Sequence, residues 1–201
     1  MPRPRSGRIR VAVLISGTGS NMAALVDAAR DPACPFGIAL VLSNRPDAGG
    51  LAIARGKGVP VAVVDHRPFG KDREAHERAI DAILREHDVE VVALAGYMRL
   101  LTPWLVRRWQ GRMLNIHPSL LPKYPGLDTH ARALAAGDAE AGCTVHLVSE
   151  GVDEGPALAQ ARAPILADDT PDSLAQRVLT AEHELYPRAL ADFCRVQMRS
   201  L

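Results

Sequence analysis

The sequence of 201 residues lacks the features that mark several large classes of protein. Its three cysteines form neither a CxxC pair nor a zinc-ligand spacing, so we expect reduced thiols and no metal. No apolar run approaches the roughly 18 residues of a membrane-spanning helix. With 24 basic and 23 acidic residues, no long-range field would gather nucleic acid or anionic lipid. These absences favour a cytoplasmic protein that acts on small molecules, without nucleic-acid or membrane partners.

What the sequence does contain is an alternation of strand and helix patterns. Short apolar runs rich in β-branched residues predict buried strands of a parallel sheet, and stretches with helical periodicity separate the first four of them. The predicted strands are residues 11–15, 38–42, 61–64, 91–95 and 113–116, and the helices are residues 22–29, 48–58 and 72–87. This order predicts an α/β fold with a Rossmann-like, mostly parallel sheet in the N-terminal half.

The pattern changes after residue 117. Residues 117–130 hold three prolines and no periodicity, and so long a loop in a compact domain is usually functional or disordered. Residues 143–149 and 158–163 alternate like the strands of a β-hairpin, and a last helix is predicted at 171–190. We therefore expect a single domain, 1–201, with a disordered tail at 1–9. Residues 10–110 form the Rossmann-like half, and in residues 111–201 the hairpin and long helix complete the sheet.

The loop after the first strand, residues 17–21, combines two glycines with a hydroxyl and an amide. Glycine allows a close backbone approach to a ligand, and a helix N-terminus offers unpaired N–H groups, so the loop predicts a phosphate site. Met22 stands where the dinucleotide fingerprint needs a third glycine, and the lysine of the phosphate-binding loop is absent. The pattern favours one small phosphate over NAD or ATP, with an unliganded glycine turn as the alternative.

Three polar residues stand out in the second half of the chain. Asn115 and His117 are two apart in an extended segment, so their side chains point to the same side. Asp153 lies in a glycine-rich turn that could fold back beside His117. An amide and an imidazolium can stabilise an oxyanion, and a carboxylate can take the proton of an attacking amine, which suits acyl transfer. Taken singly, each is as easily an ordinary structural residue.

Five segments, taken in order, resemble the folate-dependent formyltransferases. The segment LNIHPSLLPKYPG at 114–126 looks like the signature of that family, and VLISGTGSN at 13–21 is similar to a phosphate loop found within it. Segments 95–101, 153–156 and 182–187 also match. The resemblance covers about residues 10–190, and together the segments make the purely structural interpretations unlikely.

The resemblance implies transfer of a formyl group from 10-formyltetrahydrofolate to the amine of glycinamide ribonucleotide, in purine biosynthesis. The formyl-folate would be a cosubstrate, and 10–110 and 111–201 would be the phosphate-binding and the catalytic, folate-binding halves. Catalysis would fall to His117 as donor, Asn115 as the group that holds the formyl oxygen, and Asp153 as the group that keeps His117 charged. The ribonucleotide would contact Gly19, Ser20, Asn21 and Glu182. The folate would contact Arg73, Met98, Arg99, Leu100, Leu101, Asn115, Ser149, Glu150, Gly151, Val152 and Asp153.

Four alternatives remain open. Methionyl-tRNA formyltransferase shares the central motif, but we expect it to carry a further C-terminal domain and a basic surface. Formyltetrahydrofolate hydrolase shares the polar trio, but we expect an N-terminal regulatory domain in it and no need of a phosphate loop. An NAD oxidoreductase would need an acidic residue after the second strand, where Ser43 and Asn44 stand. A nucleotide-binding module would not need the polar trio. We expect a monomer or a homodimer.

Overall fold

A computed structural model describes residues 7–199 and contains one sheet of seven strands. The strands are β1 Ile9–Ile15, β2 Phe36–Ser43, β3 Val61–Val63, β4 Val91–Leu94, β5 Met113–His117, β6 Glu140–Leu147 and β7 Ala157–Pro164. The helices are α1 Ser20–Ala28, α2 Gly49–Gly56, α3 Arg73–Glu86, α4 Pro103–Arg108, α5 Thr129–Ala135 and α6 Pro171–Arg199, with a 3-10 turn at Arg67–Phe69.

The strand order is β3-β2-β1-β4-β5-β6-β7. The first five strands pair in parallel, whereas β6 pairs antiparallel with both β5 and β7. The predicted Rossmann-like sheet, completed by a hairpin and a long helix, is therefore confirmed. The chain leaves β1 toward one edge and later returns to β4, so the carboxyl ends of these two strands form the crevice where ligands bind in such sheets.

Both faces of the sheet are buried. In β1, Val11, Val13 and Ile15 pack against α1, α2 and α6, whereas Ala12 and Leu14 pack against α3 and α4. Successive side chains of a strand point to opposite faces, so a continuous apolar run is what two covered faces require.

Several boundaries differ from the predictions. Residues 1–6 of the predicted tail lie outside the described residues, but its end is ordered, because the Arg8 guanidinium donates to Phe36 O (3.0 Å) and Ile9 begins β1. Helix α6 extends to Arg199, beyond the predicted end at 190, because its buried face continues through Cys194. The irregular segment after β5 ends at Thr129, where α5 begins. Helices α4 and α5 were not predicted, since six and seven residues show too little periodicity.

Candidate active site

The turn between β1 and α1 is shaped by close backbone packing. Gly19 caps α1 with φ +76°, a left-handed conformation that favours glycine. A Cβ built on Gly19 would lie 2.8 Å from the Cα of Gly50, at the start of α2. The Gly50 N–H donates to Gly17 O (3.0 Å), so the two helix N-termini are held together. Gly19 and Gly50 are therefore needed for the shape of this turn.

A cavity of about 440 Å³ lies over this turn, at the carboxyl ends of β1, β2 and β4. Backbone N–H groups at the start of α1 and three basic side chains give it the character of an anion site. The predicted phosphate-binding residues Gly19, Ser20 and Asn21 all line it. Its remaining lining residues are Ser16, Gly17, Thr18, Asn44, Arg45, His66, Ala95, Gly96, Met98 and Arg99.

Glu182, the other residue assigned to the ribonucleotide, reaches the loop from α6. The Asn21 amide donates to its Oε2 at 2.6 Å. Glu182 is almost fully buried, and burial raises the pKa of its carboxyl, which the Asn21 hydrogen bond partly opposes. Asn21 Oδ1 is buried and has no hydrogen-bond partner among the described residues. The pair therefore offers an unused acceptor to the hydroxyl of a bound molecule.

Strand register brings the predicted polar residues of β5 beside two further polar side chains. In the antiparallel pair, Asn115 lies opposite His146 and His117 opposite Thr144. Residues two apart share one face of a strand, so these four side chains project from the same side of the sheet.

The turn after β6 returns Asp153 to this group. Asp153 has φ +56°, which Asp tolerates better than most residues, and a Cβ at Gly155 would lie 1.7 Å from Leu147 O. The turn therefore depends on Gly155. Asp153 Oδ2 lies 3.3 Å from His117 Nδ1 and accepts from the Gly126 N–H at 2.9 Å. The structure thus brings Asn115, His117 and Asp153 together.

His117 meets an acceptor at each ring nitrogen. Its Nε2 donates to the Tyr124 carbonyl (2.9 Å), and its Nδ1 faces the Asp153 carboxylate. A neutral imidazole carries one N–H, so only the doubly protonated ring satisfies both neighbours. Burial alone would raise the pKa of Asp153, but hydrogen bonds from His146 and Gly126, together with the nearby His117, hold it below its usual value. The lowered pKa of Asp153 favours an ionised carboxylate facing His117 Nδ1.

His146 is a member of this group that the sequence interpretation missed. It is buried, its Nδ1 donates to Leu147 O (3.0 Å), and its Nε2 lies 3.3 Å from Asn115 Nδ2 and 3.5 Å from Asp153 Oδ1. It therefore joins the amide to the carboxylate. The signal that could have found it is the strand pairing, because an antiparallel β5–β6 ladder puts His146 on the same face as Asn115.

The residues assigned to the folate form two groups in the structure. In the segment after β4, Met98 and Arg99 line the cavity described above, and the side chains of Met98 and Leu100 are 68% and 63% exposed. Leu101 instead packs partly against the apolar layer under α3, away from the cavity lining. Arg73 begins α3, outside that lining.

The second folate-assigned group is the turn Ser149 to Asp153. Val152 at its tip is 52% exposed, and the Ser149 hydroxyl donates to Gly151 O at 3.4 Å. Glu150 pairs with Arg107 of α4 at 2.6 Å, so its carboxylate is already engaged. Met98, Leu100 and Val152 are apolar side chains left in solvent, as expected of surfaces that a ligand covers.

Residues 7–199 contain neither a metal-binding cluster nor a membrane-spanning helix. No group of three or more His, Cys, Asp or Glu side chains within that range is placed to hold a metal ion. No helix there is long and apolar enough to cross a membrane.

Comparison with known proteins identifies a matching family model and similar proteins whose names agree with it. Residues 9–190 match the model of the formyl transferase family. The trifunctional purine biosynthetic protein adenosine-3 of Drosophila melanogaster is 52% identical over 92% of this chain, and the chain spans 14% of that relative's length. The phosphoribosylglycinamide formyltransferase of Escherichia coli is 43% identical, over 92% of this chain and 87% of its own.

Solved structures agree with this. The phosphoribosylglycinamide formyltransferase of Brucella melitensis is 53% identical, with a TM-score of 0.89 over 93% of this chain and 96% of its own. Glycinamide ribonucleotide transformylase 1 of Symbiobacterium toebii has a TM-score of 0.91 at 42% identity, over 97% of this chain and 92% of its own. Domain match, sequence identity and fold together show that the chain belongs to the formyl transferase family.

Proposed function

We propose that the protein transfers a formyl group from 10-formyltetrahydrofolate to the amine of glycinamide ribonucleotide, as a step of purine biosynthesis. One observation carries the proposal. Asn115, His117 and Asp153 converge at the end of β5, in a sheet whose neighbouring crevice holds a glycine loop suited to one phosphate. The relatives named phosphoribosylglycinamide formyltransferase support it.

The ribonucleotide would bind through its phosphate and its ribose. The backbone N–H groups of Gly19, Ser20 and Asn21 would hold the phosphate, because they are unpaired at the start of a helix whose dipole favours an anion. Glu182 and Asn21, already joined at 2.6 Å, would accept from the ribose hydroxyls. This mode of binding fixes one end of the substrate and leaves the amine free to extend toward β5.

The chemistry is an acyl transfer without a covalent enzyme intermediate. The amine nitrogen attacks the formyl carbon, a C–N bond forms, and the carbonyl oxygen becomes an oxyanion. The Asn115 amide and the His117 imidazolium would stabilise that oxyanion, while Asp153, ionised at neutral pH, balances the imidazolium and receives the amine proton through water. The bond to N10 of the folate then breaks, N10 takes up the proton that Asp153 received, again through water, and formylglycinamide ribonucleotide and tetrahydrofolate leave.

The contact between His117 and Tyr124 bears on this step. The Tyr124 carbonyl occupies Nε2 of His117, so a formyl oxygen can accept from that nitrogen only after the carbonyl has moved away. Tyr124 lies in the long segment between β5 and α5 and has φ +54°. We propose that this segment shifts when the folate binds.

The folate would lie between the two exposed apolar groups described above. Met98, Leu100 and Val152 would cover its flat heterocycle, and Arg73 and Arg99 would meet its glutamate carboxylates. The other assigned contacts are Leu101, Asn115, Ser149, Glu150, Gly151 and Asp153. The proposal also includes a cytoplasmic location, which suits the free thiols of Cys34, Cys143 and Cys194, and a monomer or homodimer.

The experiment is a spectroscopic transfer assay with purified protein and 10-formyltetrahydrofolate, run with and without glycinamide ribonucleotide. The proposal predicts loss of the formyl-folate signal that depends on the ribonucleotide, with formylglycinamide ribonucleotide as product. Ribose 5-phosphate, which has the phosphate but no amine, is the matched control and should give no loss.

Each alternative has its own outcome. Formate release at the same rate without ribonucleotide would replace transfer by hydrolysis. Transfer to charged methionyl-tRNA, but not to the ribonucleotide, would indicate the tRNA enzyme. Absence of folate binding would overturn the proposal altogether.

A further inference from the structure

Ser16 joins the two segments to which the proposed function assigns the two substrates. It is the residue immediately before Gly17 and thus the base of the phosphate loop. Its N–H donates to Gly96 O at 3.1 Å, and its Oγ accepts from the Met98 N–H at 2.8 Å. One residue therefore holds both ends of the turn that begins at Gly96, which has φ +70°.

The Ser16 hydroxyl is oriented from the opposite side. Its proton goes to Asn44 Oδ1 at 2.6 Å, so a lone pair is left for the Met98 N–H. Asn44, at the end of β2, contacts His66 Nδ1 through both its Nδ2 (3.2 Å) and its own carbonyl (2.9 Å). Ser16 and Asn44 are 5% and 3% exposed, so little water competes for these hydrogen bonds.

The segment held by Ser16 carries the exposed side chains of Met98 and Leu100. A second tether, from Glu77 Oε1 to the Thr102 N–H (2.7 Å), comes from α3 and has no connection to the phosphate loop. Of these two side-chain contacts, only that of Ser16 links the phosphate loop to the Met98 segment. A ligand that orders one segment would therefore lower the entropy lost when the other segment is ordered.

From this geometry we propose that Ser16, oriented by Asn44, is a positioning residue that couples binding of the ribonucleotide to binding of the folate. The inference rests on the proposed function, because it takes the two loops as sites of the two substrates. Coupling between sites is reciprocal, so each substrate should tighten the binding of the other by the same factor.

The test is a thermodynamic cycle by titration calorimetry on the full chain. The dissociation constant of a folate analogue with carbon in place of N10, which carries no transferable formyl group, is measured without and with saturating glycinamide ribonucleotide. In the wild type we expect the ribonucleotide to tighten the analogue about fivefold or more. In Ser16→Ala and in Asn44→Ala we expect that ratio to fall below about twofold.

Two controls separate coupling from general loosening. Ser43→Ala removes another buried hydroxyl, which accepts from the Arg45 N–H within its own strand end (3.0 Å), and should keep the wild-type ratio. Thr102→Val removes the hydrogen bond that the Thr102 hydroxyl donates to Glu77 Oε2 and so weakens the tether from Glu77. It should lower affinity for the analogue and leave the ratio unchanged. Both keep the link through Ser16 intact.

The outcomes distinguish this inference from the proposed function. The inference would be overturned, even with formyl transfer intact, by a ratio near one in the wild type. It would also be overturned by an unchanged ratio in a folded Ser16→Ala or Asn44→Ala, or by a fall of the ratio in Thr102→Val equal to that in Ser16→Ala. If Ser16→Ala does not fold, Asn44→Ala decides, because it keeps the Ser16 hydroxyl and removes the acceptor that orients it, together with the Asn44 Nδ2 contact to His66 Nδ1. Absence of transfer by the wild type would instead remove the proposed function.

Discussion

At the scale of single residues, His117 is distinguished by its two acceptors. Tyr124 O and the Asp153 carboxylate each face one ring nitrogen, and the side chain is 8% exposed. The imidazolium of the proposed mechanism would interact strongly with an oxyanion nearby, because little water is present to screen it. The catalytic contribution of His117 should therefore be electrostatic, and large.

We predict that His117→Ala lowers single-turnover formyl transfer about 10²–10³-fold, the cost of removing one oxyanion donor. The fold should persist, since the side chain packs at the edge of the site, and the ribonucleotide should bind as before through the distant glycine loop. Stopped-flow transfer assays, with circular dichroism and calorimetry as checks, measure this. Near-normal turnover in a folded variant would contradict the assigned role.

The ionisation of Asp153 should make both stability and turnover depend on pH. Its pKa in the folded protein lies below its usual value of 3.8, so its ionised form stabilises the fold above that pH and this contribution is lost as pH falls below it. We predict that Asp153→Asn unfolds more easily than wild type at neutral pH, that the gap narrows below about pH 3.8, and that turnover drops at all pH values. Chemical denaturation and pH–rate profiles measure both effects.

Asp169 provides a matched control for that prediction. Hydrogen bonds from Arg177 above all lower its pKa as well, but it lies beside the start of α6 and outside the site. Asp169→Asn should show the same narrowing in acid with unchanged turnover. An equal loss of turnover in both variants would mean that the Asp153 effect is one of stability alone.

Residue types allowed part of the site to be predicted, and their limits are physical. Asn115, His117 and Asp153 were predicted because two lie two apart in a strand and the third lies in a glycine-rich turn. His146 has no such local mark, and it is recruited by strand register, a property of two segments 31 residues apart. The catalytic roles of Asn115, His117 and Asp153, the folate contacts, the ribonucleotide contacts and the division of the chain at residues 110 and 111 stay predictions.

At the scale of elements, the β1–α1 turn depends on the start of α2. We predict that Gly19→Ala costs stability both through its positive φ and through the approach to Gly50, and that it weakens ribonucleotide binding. Gly58→Ala is the control, because Gly58 has nearly the same φ, +75°, and open space around a Cβ. The excess cost at Gly19 should be about 1–3 kcal/mol by denaturation. Equal losses of stability in Gly19→Ala and Gly58→Ala would show that α2 moves aside to accommodate the added methyl group.

The buried Glu182 of α6, which accepts from Asn21 of α1, should lower stability at neutral pH while it supports ribonucleotide binding. Burial raises the pKa of Glu182, so its contribution to stability is greatest at low pH and declines as pH rises above 4.5, its ordinary value. We predict that Glu182→Gln, which still accepts from Asn21, is more stable than wild type at pH 7 and no more stable near pH 4. Its ribonucleotide affinity should fall. Thermal unfolding at both pH values and calorimetry decide, and lower stability at pH 7 would refute the argument.

How accurately each helix or strand could be predicted depends on its length and on how much of it is buried. The runs that became β1, β2 and β4 are apolar throughout because both faces are covered, so they are unmistakable in the sequence. Helix α4 has six residues and two buried side chains, too few to show a period, and its start at Pro103 was overlooked. The predicted end of α6 at 190 was wrong because, beyond that residue, Cys194 alone continues the buried face.

At the scale of the whole molecule, Tyr186 ties the late helix to the middle of the sheet. It is fully buried in α6, and its hydroxyl lies 3.0 Å from Leu94 O of β4 and 3.3 Å from Leu114 O of β5. We predict that Tyr186→Phe lowers the free energy of unfolding by about 1–3 kcal/mol, because buried carbonyls lose a donor. Tyr124→Phe, whose hydroxyl bonds Asp138 in partial exposure, should cost less than about 0.5 kcal/mol. Equal losses of unfolding free energy in the two variants would contradict the role of the Tyr186 hydroxyl in joining α6 to the sheet.

Strand β5 has a parallel neighbour on one side and an antiparallel neighbour on the other. Strand β5 therefore joins the parallel strands of the N-terminal part to the antiparallel strands β6 and β7, and it carries Asn115 and His117. Their partners come from β6 and from the turn at Asp153, which follow β5 in the chain. A molecule in which the C-terminal part has not docked has its glycine loop but not the complete group of polar side chains. Under the proposed function, activity would therefore report complete folding, and a misfolded chain that still binds ribonucleotide would be inactive.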